Sequence, residues 1–317
     1  MKNINIQNII ILILIILILL ILYKHYCNRK LKHNNIRKKN IEQFLFKNSD
    51  KFNKSKILIC LFGVIPRSIK YTWSSINNNI IDVLKKRYDV EIFVFNMNVG
   101  NTKVDDVYLN QSDIQIIPYN YKEEIMQNKY NIELEKICNQ IECKLSVPTI
   151  GNLQIKNAIR QMYSEYRVGK FLKKNKNKYK GAIVIGPDYY IVNKLNLNEF
   201  NDSIYNNEKH IYTTFVGDWG GYTNGLYFGK IKNLLPILYR YKNLNKYLPT
   251  DNNYEYILKK SFINNEIIRK KSLLLFFKIR ANKKVKWFGT EEDKNKIKNR
   301  QEIEYKLKLL SNQLENK

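Results

Sequence analysis

Residues 179–191 constrain the fold of this chain most, because a short buried strand ends there abruptly. Residues 182–185 form an unbroken apolar run rich in β-branched side chains. Such a run is typical of a strand that is covered on both faces, as in a parallel sheet flanked by helices. Gly186 and Pro187 follow, and proline cannot donate to the hydrogen-bond ladder, so the strand must end at this point.

Asp188 comes directly after this stop. In open α/β sheets ligands bind at the carboxyl ends of the strands. A carboxylate at this position can therefore hold a divalent cation against a phosphate, or orient a sugar hydroxyl. An acid after proline is equally compatible with a plain turn, so the local sequence leaves both interpretations open.

Further apolar runs alternate with helical patterns along the chain. Predicted strands cover residues 57–62, 90–95, 114–117, 182–185, 210–216, 226–229 and 273–279. Helical spacing predicts helices over residues 68–87, 123–141 and 153–174, others after 229 and 250, and an amphipathic helix within 291–317. Strand, helix and strand at this spacing form a βαβ pattern, which predicts a mainly parallel sheet.

Two arginines stand at the ends of predicted strands. Arg67 lies in the turn between the first strand and the helix that follows it, where a guanidinium, free backbone N–H groups and the helix dipole can converge on a phosphate. Arg280 ends the apolar run 273–279. The chain holds 55 Lys and Arg residues, so a merely solvated arginine fits the position of Arg67 equally well.

Residues 217–225 are the most glycine-rich part of a chain that has only 12 glycines. Glycine permits a left-handed backbone and the close approach of a ligand. Within this loop Asp218 supplies one acid, and Trp219 and Tyr222 supply two flat surfaces that could stack on a sugar or a base. A β-turn with a packed tryptophan is the alternative.

The N-terminal residues 4–23 are almost wholly apolar, and this is the length that a helix needs to span a bilayer. No small residues follow where a signal peptidase would cut, so we expect an uncleaved anchor over residues 1–23. The basic residues that follow it are Lys24, Arg29, Lys30, Lys32, Arg37, Lys38 and Lys39. The positive-inside rule therefore places the bulk of this single-pass chain in the cytosol, with the lumenal side as the alternative.

The formal charge of +27 is spread along most of the chain. No zinc-finger, homeodomain or RNA-binding signature accompanies it, so the sequence gives little support for a nucleic-acid partner. The charge fits anionic membrane surfaces and phosphate-bearing substrates equally well. Four cysteines suggest no disulfide framework, and three histidines make a histidine-based triad unexpected. The abundance of Ile, Asn, Lys and Tyr is typical of an AT-rich genome such as that of a large DNA virus.

Several of these features occur in the same order in a group of glycosyltransferase-like proteins of bacteria and large DNA viruses, which the chain resembles over about residues 57–288. The segment 57–68, ILICLFGVIPRS, is similar to the group's first strand and its Pro-Arg-Ser turn. Residues 161–164, QMYS, look like its Gln-x-Tyr-Ser helix motif. Residues 179–190 are similar to the group's strand that ends in Arg-Pro-Asp-Leu.

The later positions of the group's pattern also have counterparts. Asp218 and Gly225 match its Asp and Gly positions, and Glu255 and Arg280 fall near its acidic helix position and its terminal arginine. The resemblance implies a GT-A-type nucleotide-sugar fold over residues 55–289. We expect a basic stalk over 24–54 before it and an amphipathic helix over 290–317 after it.

Two departures from the group's pattern concern the metal. Gly186 stands where the group has arginine, and no second acid follows Asp188 to complete an Asp-x-Asp pair. One carboxylate binds a divalent cation more weakly than two, so Asp188 would be a weak site for the Mn²⁺ or Mg²⁺ that the resemblance implies.

The main hypothesis is a membrane-anchored glycosyltransferase that moves a sugar from a nucleotide-sugar donor to a glycan, protein or lipid hydroxyl. Arg67 and Arg280 would stabilise the departing diphosphate, with Mn²⁺ or Mg²⁺ on Asp188. Asp218 would be the general base if the reaction inverts. The alternative is an inactive relative that acts as a membrane-tethered binding or scaffolding protein. The hypothesis requires Asp188 and Asp218 to face each other across one crevice, with Arg67 on its floor.

Overall fold

A computed structural model of the chain describes residues 23, 54–140, 152–247, 254–287, 289–297 and 299–316. Contacts divide the chain into two units, Met1–Lys54 and Ser55–Lys317, and every element named below belongs to the second. The predicted anchor and basic stalk lie outside the described residues, apart from Tyr23 and Lys54. In the part of the chain that is described, no helix is both long and apolar enough to cross a membrane.

Strands and helices alternate along most of the second unit. Its described strands are β1 (Lys56–Gly63), β2 (Asp89–Asn98), β3 (Tyr121–Met126), β4 (Gly181–Ile185), β5 (Tyr189–Ile191), β6 (His210–Thr214), β7 (Leu226–Gly229), β8 (Ile268–Ser272), β9 (Phe276–Ile279) and β10 (Val285–Trp287). Its described α-helices are α1 (Ile69–Ile76), α2 (Asp82–Lys85), α3 (Gln127–Gln140), α4 (Asn152–Lys174), α5 (Leu197–Tyr205), α6 (Ile231–Leu238), α7 (Leu244–Tyr247), α8 (Tyr254–Asn264), α9 (Glu291–Asn295) and α10 (Arg300–Glu315). A π-helical segment, Asn77–Ile81, joins α1 to α2, and 3₁₀ segments occur at Ile65–Arg67, Gln111–Ile116 and Tyr239–Asn243.

The central sheet has the strand order β3-β2-β1-β4-β7-β6-β8. β3, β2, β1 and β4 run parallel, whereas β7 is antiparallel to both β4 and β6, and β8 is parallel to β6. The predicted α/β class with a mixed, mainly parallel sheet is therefore confirmed. Because β1, β2 and β4 run in the same direction, their carboxyl ends meet at one edge of the sheet, where α/β proteins bind ligands.

Both faces of the sheet are buried because the central strands are apolar on both sides. Leu58 and Cys60 of β1 belong to a core that includes α4 and α6. Ile57 and Ile59, which alternate with them, belong to a second core that includes α1 and α5. This two-sided burial fits the continuous apolar runs of the sequence, since a strand with one wet face would alternate with polar residues.

A second, smaller sheet with the order β10-β9-β5 is antiparallel. Phe277 and Ile279 of β9 pack against Leu310 and Leu314 of α10. The amphipathic pattern predicted near the C-terminus is thus divided between two helices, α9 and α10, and the apolar side of α10 covers this sheet.

Several strands differ from the prediction. Residues 114–117 were expected to be a strand, but Gln111–Ile116 is a 3₁₀ segment. The third parallel strand is β3 instead, which includes residues predicted as the start of a charged helix. Its side chains Lys122 and Glu124 are exposed, and a charged, exposed segment of this kind is also typical of a surface helix. β8 and β10 are short and partly basic, so apolar patterning does not reveal them.

Candidate active site

A cavity of about 1110 Å³ opens where β1, β2 and β4 end. Gly63, Val99 and Pro187, each at or just beyond one of these ends, belong to its lining. Its charged lining residues are Arg67, Lys103, Asp105, Asp106, Arg160, Asp188, Glu255, Lys278, Arg280, Lys284 and Lys286. The cations outnumber the acids, so the cavity favours an anionic ligand.

Two arginines flank Asp188 in this cavity. Asp188 Oδ2 lies 4.0 Å from Arg67 Nη1 and 3.6 Å from Arg280 Nη1. The turn after β1 positions Arg67, and strand pairing positions the other two, because the backbone N–H of Ile279 donates to the carbonyl oxygen of Asp188 at 2.9 Å. The structure therefore brings together three of the predicted site residues.

A fourth charged residue, Asp105, engages Arg67 more closely. Arg67 Nε and Nη2 each donate to an Asp105 oxygen at 2.8 Å, and the backbone N–H of Ala281 donates to Asp105 Oδ2 at 3.0 Å. Burial alone would raise the pKa of the Asp105 carboxyl, but the hydrogen bonds from Arg67 and Ala281 hold that pKa below its usual value. Asp105 thus joins the turn after β1 to the turn between β9 and β10.

A carboxylate from another element, Glu255 in the first turn of α8, also lines the cavity. Asn224 Nδ2 donates to Glu255 Oε1 at 2.8 Å, and Gln161 Nε2 donates to Asn224 Oδ1 at 3.3 Å. Burial raises the pKa of the Glu255 carboxyl, and nearby Lys278 offsets that rise only in part. A carboxylate with a raised pKa inside a cavity is a stronger base than an ordinary glutamate.

A buried ion pair between Arg240 and Glu165 supports two residues of the cavity lining. Arg240 Nη2 lies 2.6 Å from Glu165 Oε2, and both side chains are inaccessible to solvent. Gln161 and Tyr254, which line the cavity, donate to Glu165 Oε1 at 3.1 and 2.6 Å. The buried charge of Glu165 therefore fixes two lining side chains, one from α4 and one from α8.

The glycine-rich loop places its predicted site residues elsewhere. The two carboxylate oxygens of Asp218 accept hydrogen bonds from Arg269 at 2.6 and 2.7 Å. Trp219 is half exposed, and the ring of Tyr222 lies 4.6 Å from the Arg269 guanidinium. These three residues are not part of the cavity lining. The crevice expected between Asp188 and Asp218 is therefore not formed, because Arg269 of the unpredicted strand β8 binds Asp218 outside the cavity.

The same loop instead supports Glu255 from behind. The backbone N–H of Tyr222 donates to the carbonyl oxygen of Glu255 at 2.9 Å. A Cβ atom at Gly221 would lie only 2.0 Å from the Glu255 carbonyl carbon, so no larger residue fits there without displacing α8. The glycines of this loop, which suggested a ligand site, thus allow its backbone to contact the backbone of α8.

The cluster does not fit the divalent cation that the resemblance implies. Across the described ranges, no group of three or more His, Cys, Asp or Glu residues could hold a metal ion. Both oxygens of Asp105 accept from Arg67, and Asp188 Oδ2 faces two guanidinium groups. A cation on Asp188 would lie against these positive charges, so Mn²⁺ or Mg²⁺ at Asp188 stays a prediction with an electrostatic argument against it.

Seven charged residues of the cavity lining were not predicted from the sequence, Lys278 and Asp105 among them. Lys278 interrupts the apolar run 273–279, and a lysine inside such a run is a signal that could have been used. Asp105 gave no comparable signal, because it lies in an irregular loop and its contact with Arg67 spans 38 residues.

No known protein family and no curated protein matches the chain by sequence. Among solved structures the chain is similar to the apo form of mouse xyloside xylosyltransferase 1, with a TM-score of 0.38 and 8% identity. The match covers 68% of this chain and 84% of that one. A likeness of this size carries no argument about family or activity.

Proposed function

We propose that the protein is a glycosyltransferase of the nucleotide-sugar-dependent, GT-A-like kind, tethered to a membrane by its N-terminal apolar segment. The observation that carries the proposal is one cavity at the strand edge that combines two guanidinium groups with a separate, half-buried carboxylate. Arg67 and Arg280 supply the first part, and Glu255 supplies the second. Sugar transfer needs these two functions together: stabilisation of a leaving diphosphate and removal of a proton from a hydroxyl.

The donor diphosphate would bind to the cationic side of the cavity. Arg67 and Arg280 can each present two N–H groups to phosphate oxygens. Burial lowers the pKa of Lys278, and an anion bound beside it would favour the charged form of this lysine. As the bond between the sugar's anomeric carbon and the phosphate oxygen breaks, the electron pair stays on the diphosphate, and these cations stabilise that charge.

Glu255 would accept the proton of the acceptor hydroxyl while the oxygen of that hydroxyl bonds to the anomeric carbon. Its raised pKa suits this role, and Asn224 orients one of its oxygens. We assign the base to Glu255 rather than to Asp218, because the carboxylate of Asp218 is occupied by Arg269 outside the cavity.

Release of nucleoside diphosphate from a panel of nucleotide sugars by the full-length chain tests the proposal. Arg67→Gln with Arg280→Gln should lower kcat/KM by a factor of at least about 100, since two charge-assisted contacts to the leaving group are lost. Arg300→Gln, an arginine of α10 that is not part of the cavity lining, is the matched control. Equal turnover by the double variant and the control would refute the assignment.

A second candidate function is a binding or scaffolding protein on a transferase fold that no longer reacts. The lack of a second acid after Asp188 and the occupation of Arg67 by Asp105 favour it. It predicts that calorimetry detects no binding of any nucleotide sugar, with or without Mn²⁺, whereas the transferase proposal predicts saturable binding.

A further inference from the structure

The hairpin formed by β9 and β10 presents a row of cations to the cavity. Lys278 and Lys286 are directly opposite each other in the antiparallel register. The backbone N–H of Arg280 donates to the carbonyl oxygen of Lys284 at 3.0 Å, which closes the turn. All four side chains line the cavity, so this hairpin carries more than half of its cationic residues.

Packing on the opposite face prevents this cationic face from turning away. The residues that alternate with the cations, Phe277, Ile279, Val285 and Trp287, pack together with α10. A one-residue shift in register would expose this apolar set and bury the lysines. The hairpin therefore holds like charges directly across from each other, an arrangement that is unfavourable unless an anion lies between them.

Three acids of the cavity already have cationic neighbours, and that of Glu255 is Lys278. Asp105 pairs with Arg67, and Asp188 lies between Arg67 and Arg280. Within the described residues, no ion pair joins Lys284 or Lys286 to an acid. A diphosphate bound at Arg67 and Arg280 would also leave these two lysines without a counterion.

We propose that Lys284 and Lys286, together with Lys278, bind a second anionic group of the substrates, a phosphate or a carboxylate, in addition to the donor diphosphate. This inference rests on the proposed function, and it names the substrate class: one of the two substrates carries a negative charge beyond the diphosphate. The group belongs either to the transferred sugar, as a carboxylate, or to the acceptor, as a phosphate. The chemistry that the hairpin recognises is the same in both cases.

Inorganic polyphosphates test the anion site without any assumption about the sugar. Calorimetry on the full-length chain should show tighter binding of tripolyphosphate than of pyrophosphate. In Lys284→Gln with Lys286→Gln, the affinity for tripolyphosphate should fall by about tenfold, as expected for lost charge-assisted contacts, and that for pyrophosphate should fall less. Lys174→Gln with Lys176→Gln, two exposed lysines near the end of α4, controls for the general loss of charge.

Turnover assays identify the source of the second charge. One arm compares a nucleoside-diphosphate glucuronate with the corresponding glucose donor, and the other compares acceptor sugars with and without a 6-phosphate. The hairpin variant, Lys284→Gln with Lys286→Gln, should lose the preference for the charged substrate in one of these two comparisons. Its rate with the neutral substrates should stay unchanged. If neither preference exists, or both survive the substitution, the inference is wrong.

The two proposals fail in different ways. If no nucleotide sugar binds or turns over while the hairpin variant still weakens tripolyphosphate binding selectively, the transferase proposal fails and the anion site stands. If neutral nucleotide sugars turn over and the hairpin variant binds tripolyphosphate as the control variant does, the transferase proposal stands and the second anion site is refuted.

Discussion

At the scale of single residues, three carboxylates of one cavity differ through their neighbours. Asp105 accepts two hydrogen bonds from Arg67, which keep it ionised. Asp188 lies near two guanidinium groups. Glu255 is half-buried and accepts a hydrogen bond from the Asn224 amide, and burial raises the pKa of its carboxyl. A carboxyl whose pKa is raised above its usual value is suited to exchange a proton during a reaction.

Glu255→Gln should therefore lower kcat by about 100- to 10,000-fold, the range for loss of a general base, while the donor KM changes little. Because the carboxylate form is the base, kcat/KM of the unmodified protein should rise with pH through a pKa above the usual 4.5 for glutamate. The same raised pKa means that Glu255 stabilises the fold at low pH and that this contribution is lost as pH rises through the folded-state pKa. Glu255→Gln should thus be at least as stable as the unmodified protein at pH 8.

The pH–rate profile and thermal unfolding of Glu255→Gln are the measurements. Glu135→Gln, an exposed acid of α3 that pairs with Lys156, is the control and should leave both unchanged. If Glu255→Gln has the same kcat as the control variant, Glu255 is not the general base.

Removal of divalent cations should affect turnover little. The charge that a metal would place against the diphosphate is already supplied by Arg67, Arg280 and Lys278, and the guanidinium groups beside Asp188 oppose a further cation. We expect kcat/KM with EDTA to stay within about threefold of its value with Mn²⁺, a difference below 1 kcal/mol. If EDTA abolishes turnover and Mn²⁺ restores it, this prediction is wrong and a metal ion at Asp188 is supported.

At the scale of elements, the glycine-rich loop and α8 act as one unit, because their backbones are in contact. Gly221→Ala would place a Cβ 2.0 Å from the Glu255 backbone, so the first turn of α8 must move and take the carboxylate with it. Gly220→Ala meets no atom within 4 Å, although its φ of +83° costs about 1–2 kcal/mol for a residue with a side chain. Both variants should be destabilised, but only Gly221→Ala should lose most of its turnover. Equal turnover at matched fractions of folded protein would contradict this link.

The same elements show what the sequence could and could not predict. Buried strands such as β1 and β4 are recognisable because both of their faces are apolar, and their ends locate Arg67 and Asp188 correctly. β8 has no such pattern, yet its Arg269 decides where Asp218 points. Which acid faces the cavity depends on a partner 51 residues away, and local spacing carries no information about that contact.

At the scale of the whole molecule, the proposed membrane anchor raises the question of which side of the membrane the cavity would face. Apart from Tyr23, the apolar segment 4–23 and the cations that follow it lie outside the described residues, so orientation rests on the charge rule, which predicts the cytosolic side. The folded domain offers its own reporter. Asn110 is an exposed glycosylation sequon residue, whereas the sequon at Asn201 is blocked, since Asn201 accepts from Tyr88 and Ser203 is buried.

We expect that the full chain, expressed in a eukaryotic cell, has the same electrophoretic mobility before and after treatment with an endoglycosidase. On the cytosolic side Asn110 is not accessible to the glycosylation enzymes of the lumen. Reversing the charges of residues 24–39 and adding lysines before the apolar segment should invert the chain and make Asn110 a modified site. Asn110→Gln in the inverted chain should remove the glycan at that site and so controls for it, while Asn53→Gln in both chains removes the further sequon Asn53-Lys54-Ser55. If the unaltered chain carries a glycan that Asn110→Gln removes, the cavity faces the lumen and its substrates must be sought there.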